Sequence, residues 1–212
     1  MNQIDKAALL KIFQSVSAIM TDSRDLLCEL DADMGDGDLG LTMSKAFPAA
    51  EKEARENEEA DLGKLMMKCG MKMNSAAPST MGTLMSSGFL FAGKALAGKT
   101  VLDAEDFARF YMLFADGVAK RGKAQRGERT VLDTLFPAAD AAEQAFSDNN
   151  DADIAAIAAA ALTGAEAGLE ATKEMLPKYG KAAVFIGKAK GRIDQGALVG
   201  KLFAQGISEA LG

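Results

Sequence analysis

Four aspartates lie close together early in the chain and are the residues best suited to chemistry: Asp31, Asp33, Asp36 and Asp38. Carboxylates this close repel one another unless they are solvated or bound to a cation, and hard divalent cations prefer oxygen ligands. Glycines at positions 35, 37 and 40 let the backbone turn so that the acids can converge. The spacing therefore favours a divalent-cation site, and the alternative is a solvated acidic turn whose aspartates cap helices.

An EF-hand calcium loop does not fit the residues at two of its fixed positions. Counting from Asp31, the sixth position is Asp36, where an EF-hand has glycine. The twelfth position is Thr42, where an EF-hand has glutamate. Mg²⁺, which usually joins a few carboxylates to substrate phosphates, is the better candidate.

Two other segments have the composition of ligand loops. Residues 74–84 are rich in small and hydroxyl side chains, and they precede a predicted helix that Ser79 or Thr80 can cap. The amide groups at such a helix N-terminus can also bind an anion, although capping alone explains the residues equally well. Residues 121–129 form a second loop, rich in glycine and charge, for which Thr130 is the predicted N-cap of the next helix.

The elements that must position these loops are helices, because apolar residues recur at three- and four-residue steps along most of the chain. The predicted helices span about 5–29, 41–56, 62–73, 79–97, 103–120, 130–146, 151–172 and 194–211. A long irregular stretch, 174–193, separates the last two, and such loops are uncommon unless they are functional. The sequence contains no convincing β-hairpin, repeat or linker, so we expect one all-α domain.

The composition excludes several classes of function. The 212 residues include no histidine, which removes the commonest general base, the usual Ser-His and Cys-His pairs and most catalytic zinc sites. The net charge of −6 argues against a general nucleic-acid binder, which needs a basic face. The N-terminus lacks a basic region followed by an apolar one, and no apolar run approaches the roughly 20 residues that span a bilayer. We therefore expect a cytoplasmic protein that binds neither nucleic acid nor membrane.

The acidic segment resembles the metal loop of the nucleotide-binding L subunit of dihydroxyacetone kinase, which reads roughly D-x4-D-x-D-H-G-x-N-M. The matching positions in this chain are Asp31, Asp36, Asp38, Gly40 and Met43. The resemblance implies that Asp31, Asp36 and Asp38 hold two Mg²⁺ ions that bridge the phosphates of ADP or ATP. Asp33 lies outside the family pattern.

Three further segments resemble the family in order along the chain. Residues 78–84 match its phosphate loop G-G-A-S-G-P-L, residues 117–133 match G-x-K-x-x-x-G-D-K-T-M-x-D beside the adenine, and residues 180–196 match the lid G-R-A-S-Y-L-G followed by D-P-G. Lys181 stands where the family has an arginine that contacts phosphate, and the resemblance implies that it is catalytic. The nucleotide-binding residues that it implies are Leu39, Gly40, Thr42, Ser79, Thr80, Met81, Gly82, Gly122, Thr130, Val131, Lys181, Asp194, Gln195 and Gly196.

The chain departs from the family pattern at several of these positions. Leu39 replaces the usual histidine and Thr42 the usual asparagine, and two glycines of the phosphate loop are lost, with Pro78 among the residues there. Lys181 keeps the positive charge of the family arginine but lacks its bidentate fork. These departures leave open whether ADP is a bound cofactor or ATP an exchangeable donor.

The resemblance implies an eight-helix up-and-down barrel with a lid loop over a nucleotide site at one end, in agreement with the helix count, and residues 1–212 as one L-type domain. It also implies a phosphotransferase subunit that transfers a phosphoryl group to a small ketose, dihydroxyacetone or a relative such as erythrulose. In the family a separate K-type subunit holds the ketose, often on a histidine, and this chain has none. In the phosphotransferase-system version, a phospho-histidine carrier subunit recharges the bound ADP.

Two other interpretations remain open. A regulatory module of the same fold would bind nucleotide without transferring phosphate, since some members of the family also contact a transcription regulator. A helical scaffold would use its acidic loop only as solvated surface.

Overall fold

The structure is a computed structural model that describes residues 2–149, 153–179, 183–184 and 186–212. The helices in this part of the chain are α1 (Lys6–Asp22), α2 (Arg24–Met34), α3 (Leu39–Glu56), α4 (Leu62–Ala76), α5 (Thr80–Ala95), α6 (Ala104–Gly122), α7 (Leu132–Asp148), α8 (Ile154–Ala171), α9 (Ile186–Ala189) and α10 (Gln195–Leu211). A short 3₁₀ turn, Thr172–Glu174, extends α8.

Eight of these helices form a closed ring. In chain order α1, α3, α4, α5, α6, α7, α8 and α10 each pack against the next, and α10 packs against α1. Because successive helices run in opposite directions, residues 23–38, 77–79 and 123–131 and the described residues of 172–194 lie at one end of the ring. We call this end, defined by those four segments, the site end. The expected eight-helix up-and-down barrel is confirmed, with α2 and α9 as additional short helices at the site end.

The interior of the ring is filled with side chains. Phe114 lies at the centre, with its ring centroid 4.6 Å from that of Phe203 and 5.0 Å from that of Phe89. Phe13 of α1 extends the stack, 5.2 Å from Phe89. These rings come from four different helices and belong to one continuous apolar cluster. Since the interior is packed rather than open, a ligand must bind at an end of the barrel.

The first predicted helix is wrong in one respect, because residues 5–29 form two helices that meet at Ser23. The backbone of Ser23 leaves the helical path (φ −84°, ψ 4°), and α2 starts again at Arg24. The predicted acidic loop is correspondingly shorter, because Asp31 and Asp33 lie in the last turn of α2. Only residues 35–38 connect α2 with α3.

Helices α7 and α8 approach closely through glycines. A Cβ atom on Gly168 would lie 2.1 Å from the carbonyl oxygen of Asp133, and one on Gly164 would lie 2.3 Å from that of Pro137. Pro137 lies inside α7 and has no N–H to donate to the carbonyl of Asp133, so Gly168 packs against a group that the helix leaves without its usual partner. This contact fixes the start of α7 against the end of α8, at the site end.

The alanine-rich α8 is more apolar than expected. Together with its 3₁₀ turn it spans Ile154–Glu174, 21 residues that are long and apolar enough to cross a membrane by length and composition alone. The expectation of no such run is therefore wrong for this segment. One such helix is weak evidence of a membrane span, since core helices pass the same test, and the buried face of α8 packs on α7 and α10.

Candidate functional site

Three of the four clustered aspartates converge at the site end. Carboxylate oxygens of Asp31, Asp36 and Asp38 lie within 4.8 Å of one another. Asp31 is buried, while Asp36 and Asp38 are exposed. The residues that the metal-loop resemblance singles out are therefore the ones that the fold brings together.

Asp31 is held in place by the start of α3. Its Oδ2 accepts hydrogen bonds from the backbone N–H of Asp38 (3.1 Å) and of Leu39 (3.4 Å), so a side chain of α2 caps α3. Asp38 occupies the N-cap position without a side-chain cap of its own. The capping interpretation and the cation interpretation of Asp31 are thus compatible, because the cap uses only Oδ2.

The glycines of this loop have different roles from the one expected. Only Gly37 has a positive φ, 74°. Gly35 is required for space, since a Cβ there would lie 2.1 Å from Asp31 Oδ1. A Cβ on Gly40 would lie 1.9 Å from the carbonyl oxygen of Arg24, so Gly40 lets α3 pack against the start of α2. Two of the three glycines therefore serve close packing rather than turning.

Gln195, the first residue of α10, joins the acidic cluster. Its Nε2 lies 3.5 Å from Asp31 Oδ1, and its Oε1 is buried without a hydrogen-bond partner among the described residues. The three carboxylates form an all-oxygen donor set, which fits Mg²⁺. Asp33 lies apart, because its carboxylate pairs with the Arg192 guanidinium (Nη1 to Oδ2, 2.6 Å).

A cavity of about 890 Å³ also lies at the site end. Five of the residues implied at the nucleotide line it: Ser79, Thr80, Gly122, Thr130 and Val131. The other lining residues, which the sequence did not single out as ligand contacts, are Asn74, Pro78, Thr83, Leu84, Val118, Arg121, Ala124, Leu132 and Tyr179. The cavity thus combines hydroxyl groups at the start of α5 with apolar side chains from α6 and α7.

The N-terminus of α5 forms one wall of this cavity. Ser79 is its N-cap and accepts a hydrogen bond from the backbone N–H of Gly82 (3.0 Å), which confirms the predicted cap. A Cβ on Gly82 would lie 2.2 Å from the carbonyl oxygen of Ala77, so glycine permits the tight approach to the helix. The positive end of the α5 dipole therefore points towards the cavity beside Thr80.

The start of α10 connects the cavity with the acidic cluster. The Cβ position of Gly196 lies 3.1 Å from Met81 Cε and 3.5 Å from the backbone nitrogen of Val131. Its neighbour Gln195 reaches Asp31 on the other side. Met81, Val131, Gln195 and Gly196, which the family resemblance implies at the nucleotide, therefore lie next to one another in space. Of these four, only Val131 lines the cavity.

Several other predicted residues do not line the cavity. Leu39, Gly40 and Thr42 form the first turn of α3, next to Asp38, and the side chains of Leu39 and Thr42 are buried. Asp194 is buried at the N-cap of α10, where it accepts a hydrogen bond from Ala197 (2.8 Å). Lys181, the predicted catalytic residue, lies outside the described residues.

The loop before α7 caps the helix as predicted. Thr130 Oγ1 accepts from the N–H of Leu132 (3.2 Å), and Asp133 accepts from the N–H of Thr130 (2.7 Å), so the two residues form a capping box with Thr130 as the N-cap. Asp133 also accepts from the N–H of Gly127 (2.5 Å), and the regular helix begins at Leu132. The pattern T-x-x-D is a capping-box signal that could have identified Asp133 from the sequence.

The described part of the stretch after α8 lies across the site end. Lys178 forms an ion pair with Glu128, and the hydroxyl of Tyr179 donates to the carbonyl of Lys123 (3.0 Å). The salt bridge of Arg192 with Asp33 holds the other end of the stretch to α2. These contacts hold the two described ends of the stretch against the site end.

Asp194 is the one strongly shifted carboxyl group at this end of the described chain. Burial raises its pKa to about 6, although the N–H of Ala197 and the charge of Arg129 oppose the shift. Because the pKa in the folded protein is above the unfolded value, the folded state binds more protons between these two values, and acidification favours folding.

We expect the ligand-free protein to gain about 1 kcal/mol of stability from Asp194 between pH 7 and pH 5. Asp194→Asn should remove this gain, so the stability difference between the two proteins must grow in favour of wild type as the pH falls. Urea unfolding at both pH values measures it. Asp61→Asn is the control. Asp61 is also a helix N-cap, but its pKa is lowered: burial raises it, and hydrogen bonds from Lys64 and Gly98 outweigh burial. A difference independent of pH would contradict the prediction.

By its fold and site, the protein is an all-α barrel with a carboxylate cluster and a ligand-sized cavity at one end. The chain belongs to the DAK2 domain family, whose family model matches residues 33–209. The resemblance inferred from the sequence is thereby confirmed.

Relatives of known function support the same family. The PEP-dependent dihydroxyacetone kinase 1, ADP-binding subunit DhaL, of Listeria innocua is 31% identical over 193 residues, which cover 91% of this chain and 90% of the relative. The L-erythrulose 1-kinase of Mycolicibacterium smegmatis is 30% identical and covers 96% of this chain, but the match spans 35% of that protein. Relatives of this chain are therefore kinases or kinase subunits, so the family is one of phosphotransferases, as expected.

A solved structure shares the fold. The dihydroxyacetone kinase from C. freundii in complex with AMP-PNP and Mg²⁺ has a TM-score of 0.70 and 25% sequence identity, and the match covers 99% of this chain. This chain spans 34% of that protein, so most of the solved kinase has no counterpart here.

Proposed function

We propose that this chain is a nucleotide- and Mg²⁺-binding phosphotransferase subunit, with residues 1–212 as one L-type domain. It transfers a phosphoryl group to a small ketose, dihydroxyacetone or a relative, that a separate K-type subunit holds. The observation that carries the proposal is the gathering of three carboxylates within 4.8 Å at the end of the barrel that also holds the cavity.

Asp31, Asp36 and Asp38 hold two Mg²⁺ ions in this proposal. The phosphates of a bound nucleotide carry three or four negative charges, and the three aspartates add three more, so two divalent cations offset more than half of this charge. When bound, the ions neutralise the phosphates and stabilise the transferring phosphoryl group. Asp31, fixed by the N–H groups of Asp38 and Leu39, keeps the position of one oxygen constant.

The remaining residues orient the nucleotide. The hydroxyl of Thr80 and the N-terminal amide groups of α5 bind phosphate, and Arg121 supplies a positive charge on the cavity wall. The base lies against Gly122 and Val131, between the apolar side chains of α6 and α7. Lys181 contacts phosphate as the catalytic cation. Leu39, Gly40 and Thr42 bind the nucleotide from the first turn of α3, beside the aspartate cluster.

The chain acts in the cytoplasm with partner subunits. The acceptor ketose is bound by the K-type subunit, because this chain has no histidine to hold it. The PEP-dependent name of the Listeria relative favours the version in which ADP stays bound and a phospho-histidine carrier of the phosphotransferase system recharges it. The relatives include both a dihydroxyacetone kinase subunit and an erythrulose kinase, so they do not favour one ketose over the other.

The test is reconstitution with a K-type subunit. We expect no ketose phosphate from the purified chain with ATP and dihydroxyacetone, and sustained formation once the K-type subunit is added. A parallel mixture with phosphoenolpyruvate and the carrier proteins in place of ATP identifies the phosphoryl donor. Robust turnover without a partner would contradict the subunit assignment. Nucleotide binding without transfer in either complete mixture would support the regulatory module instead.

A further inference from the structure

Arg129 is an arginine in an unusual place. Its side chain is 3% exposed, and its backbone has a φ of 57°, in the left-handed region that non-glycine residues seldom adopt. It directly precedes Thr130 and Val131, which line the cavity. A buried charge in a strained backbone conformation persists only where its surroundings stabilise it.

The guanidinium of Arg129 joins its own loop to two distant parts of the chain through backbone carbonyls. Its Nε donates to Thr172 O at the end of α8 (3.1 Å). Its Nη2 lies within hydrogen-bonding distance of three carbonyl oxygens, those of Arg192 (2.9 Å), Ala189 (3.2 Å) and Ile193 (3.3 Å). These acceptors lead directly into Asp194, so the side chain fixes the approach to α10.

One further contact and one charge interaction place Arg129 between the acidic loop and the start of α10. Its Nη1 lies 3.9 Å from the Sδ atom of Met34, the last residue of α2 before the acidic loop. Burial lowers the pKa of Arg129, and the negative charge of Asp194 opposes this effect. Arg129 therefore contacts the end of α2 through Met34, and its charge interacts with Asp194 at the N-cap of α10.

We infer that Arg129 is a positioning residue that fixes the start of α10 relative to both the cavity wall and the acidic loop. Gln195 and Gly196 then meet Asp31 and Val131 at a constant spacing. For its effect on ligand binding, this inference rests on the proposed nucleotide site. A lysine cannot replace the arginine, because one ammonium group does not span the four carbonyls that the planar guanidinium reaches.

The test compares Arg129→Lys and Arg129→Gly with Arg126→Lys. Glycine relieves the positive φ while it removes the side chain, and Arg126 is an exposed arginine of the same loop, paired with Asp140. For Arg129→Lys we expect the amides of Gly191, Asp194 and Ala197 to exchange about tenfold faster with deuterium, with α5 and α6 unchanged. We expect ADP with Mg²⁺ to dissociate about tenfold faster as well, and Arg126→Lys to change neither rate.

Added guanidinium ions provide a second readout, because they can occupy the space left in Arg129→Gly and slow its exchange again. Wild-type exchange and dissociation rates in Arg129→Lys would overturn the inference. So would faster exchange spread evenly over α5 and α6, which indicates a merely structural role. If wild type fails to bind ADP with Mg²⁺, the proposed function fails, and the exchange measurements alone decide whether Arg129 positions α10.

Discussion

Replacing Asp31, Asp36 and Asp38 together by asparagine abolishes the stabilisation that ADP and Mg²⁺ give the native protein. A ligand that binds only the folded state at one hundred times its dissociation constant stabilises it by about 2.7 kcal/mol. For a chain of this size that corresponds to a rise of roughly 5–10 °C in the melting temperature. The triple variant keeps its fold, because the asparagine at position 31 still accepts the N–H groups of Asp38 and Leu39.

Thermal melts with ADP and Mg²⁺, ADP alone and Mg²⁺ alone measure this effect. Wild type should respond to the pair far more than to either ligand by itself, since the cations link carboxylates with phosphates. Asp25→Asn is the matched control, because Asp25 is an exposed carboxylate of the same helix and should leave the shift unchanged. A triple variant that keeps the full shift would place the nucleotide elsewhere.

The helices could be predicted from the sequence because their signals are local. Apolar periodicity and capping residues located the ring helices, and Ser79, Asp103 and Asp194 cap α5, α6 and α10 as expected. The break at Ser23 could not be predicted, because apolar residues continue at helical spacing through it and neither glycine nor proline marks it. The backbone turns there so that α2 can lie across the end of the barrel, which is a tertiary requirement.

The convergence of three acids was predicted, but the spacing alone also allowed a solvated acidic turn and did not separate Asp33, which pairs with Arg192, from the others. The role of Arg129 was not predictable, because its partners are backbone carbonyls 43 to 64 residues away. A carbonyl is present at every residue and leaves no trace in the sequence. The sequence singled out Gly35 and Gly40 but assigned them to turning the backbone. Their actual role, close approach to Asp31 and Arg24, depends on how α2 and α3 pack together.

Gly35→Ala weakens the binding of ADP with Mg²⁺ about 10–100-fold, the usual cost of disturbing a residue that orients a metal ligand. An added methyl group would lie 2.1 Å from Asp31 Oδ1, so the carboxylate must move out of the cluster. The φ of Gly35 is −137°, outside the left-handed region, and the expected effect follows from the close contact with Asp31. Isothermal titration with ADP at saturating Mg²⁺ measures the affinity.

Gly212→Ala is the control for this substitution, because Gly212 is exposed after the far end of α10, its Cβ position makes only an ordinary contact with Ser208 O (3.5 Å), and its affinity should equal that of wild type. The displaced Asp31 also gives up its cap on α3, which costs about 1 kcal/mol of stability, so a small fall in melting temperature must accompany the loss of binding. If Gly35→Ala lowers the melting temperature but keeps wild-type affinity, Asp31 caps α3 and is not a metal ligand. The double variant Gly35→Ala, Asp31→Asn should bind no more weakly than Asp31→Asn alone, because both changes act through the same carboxylate.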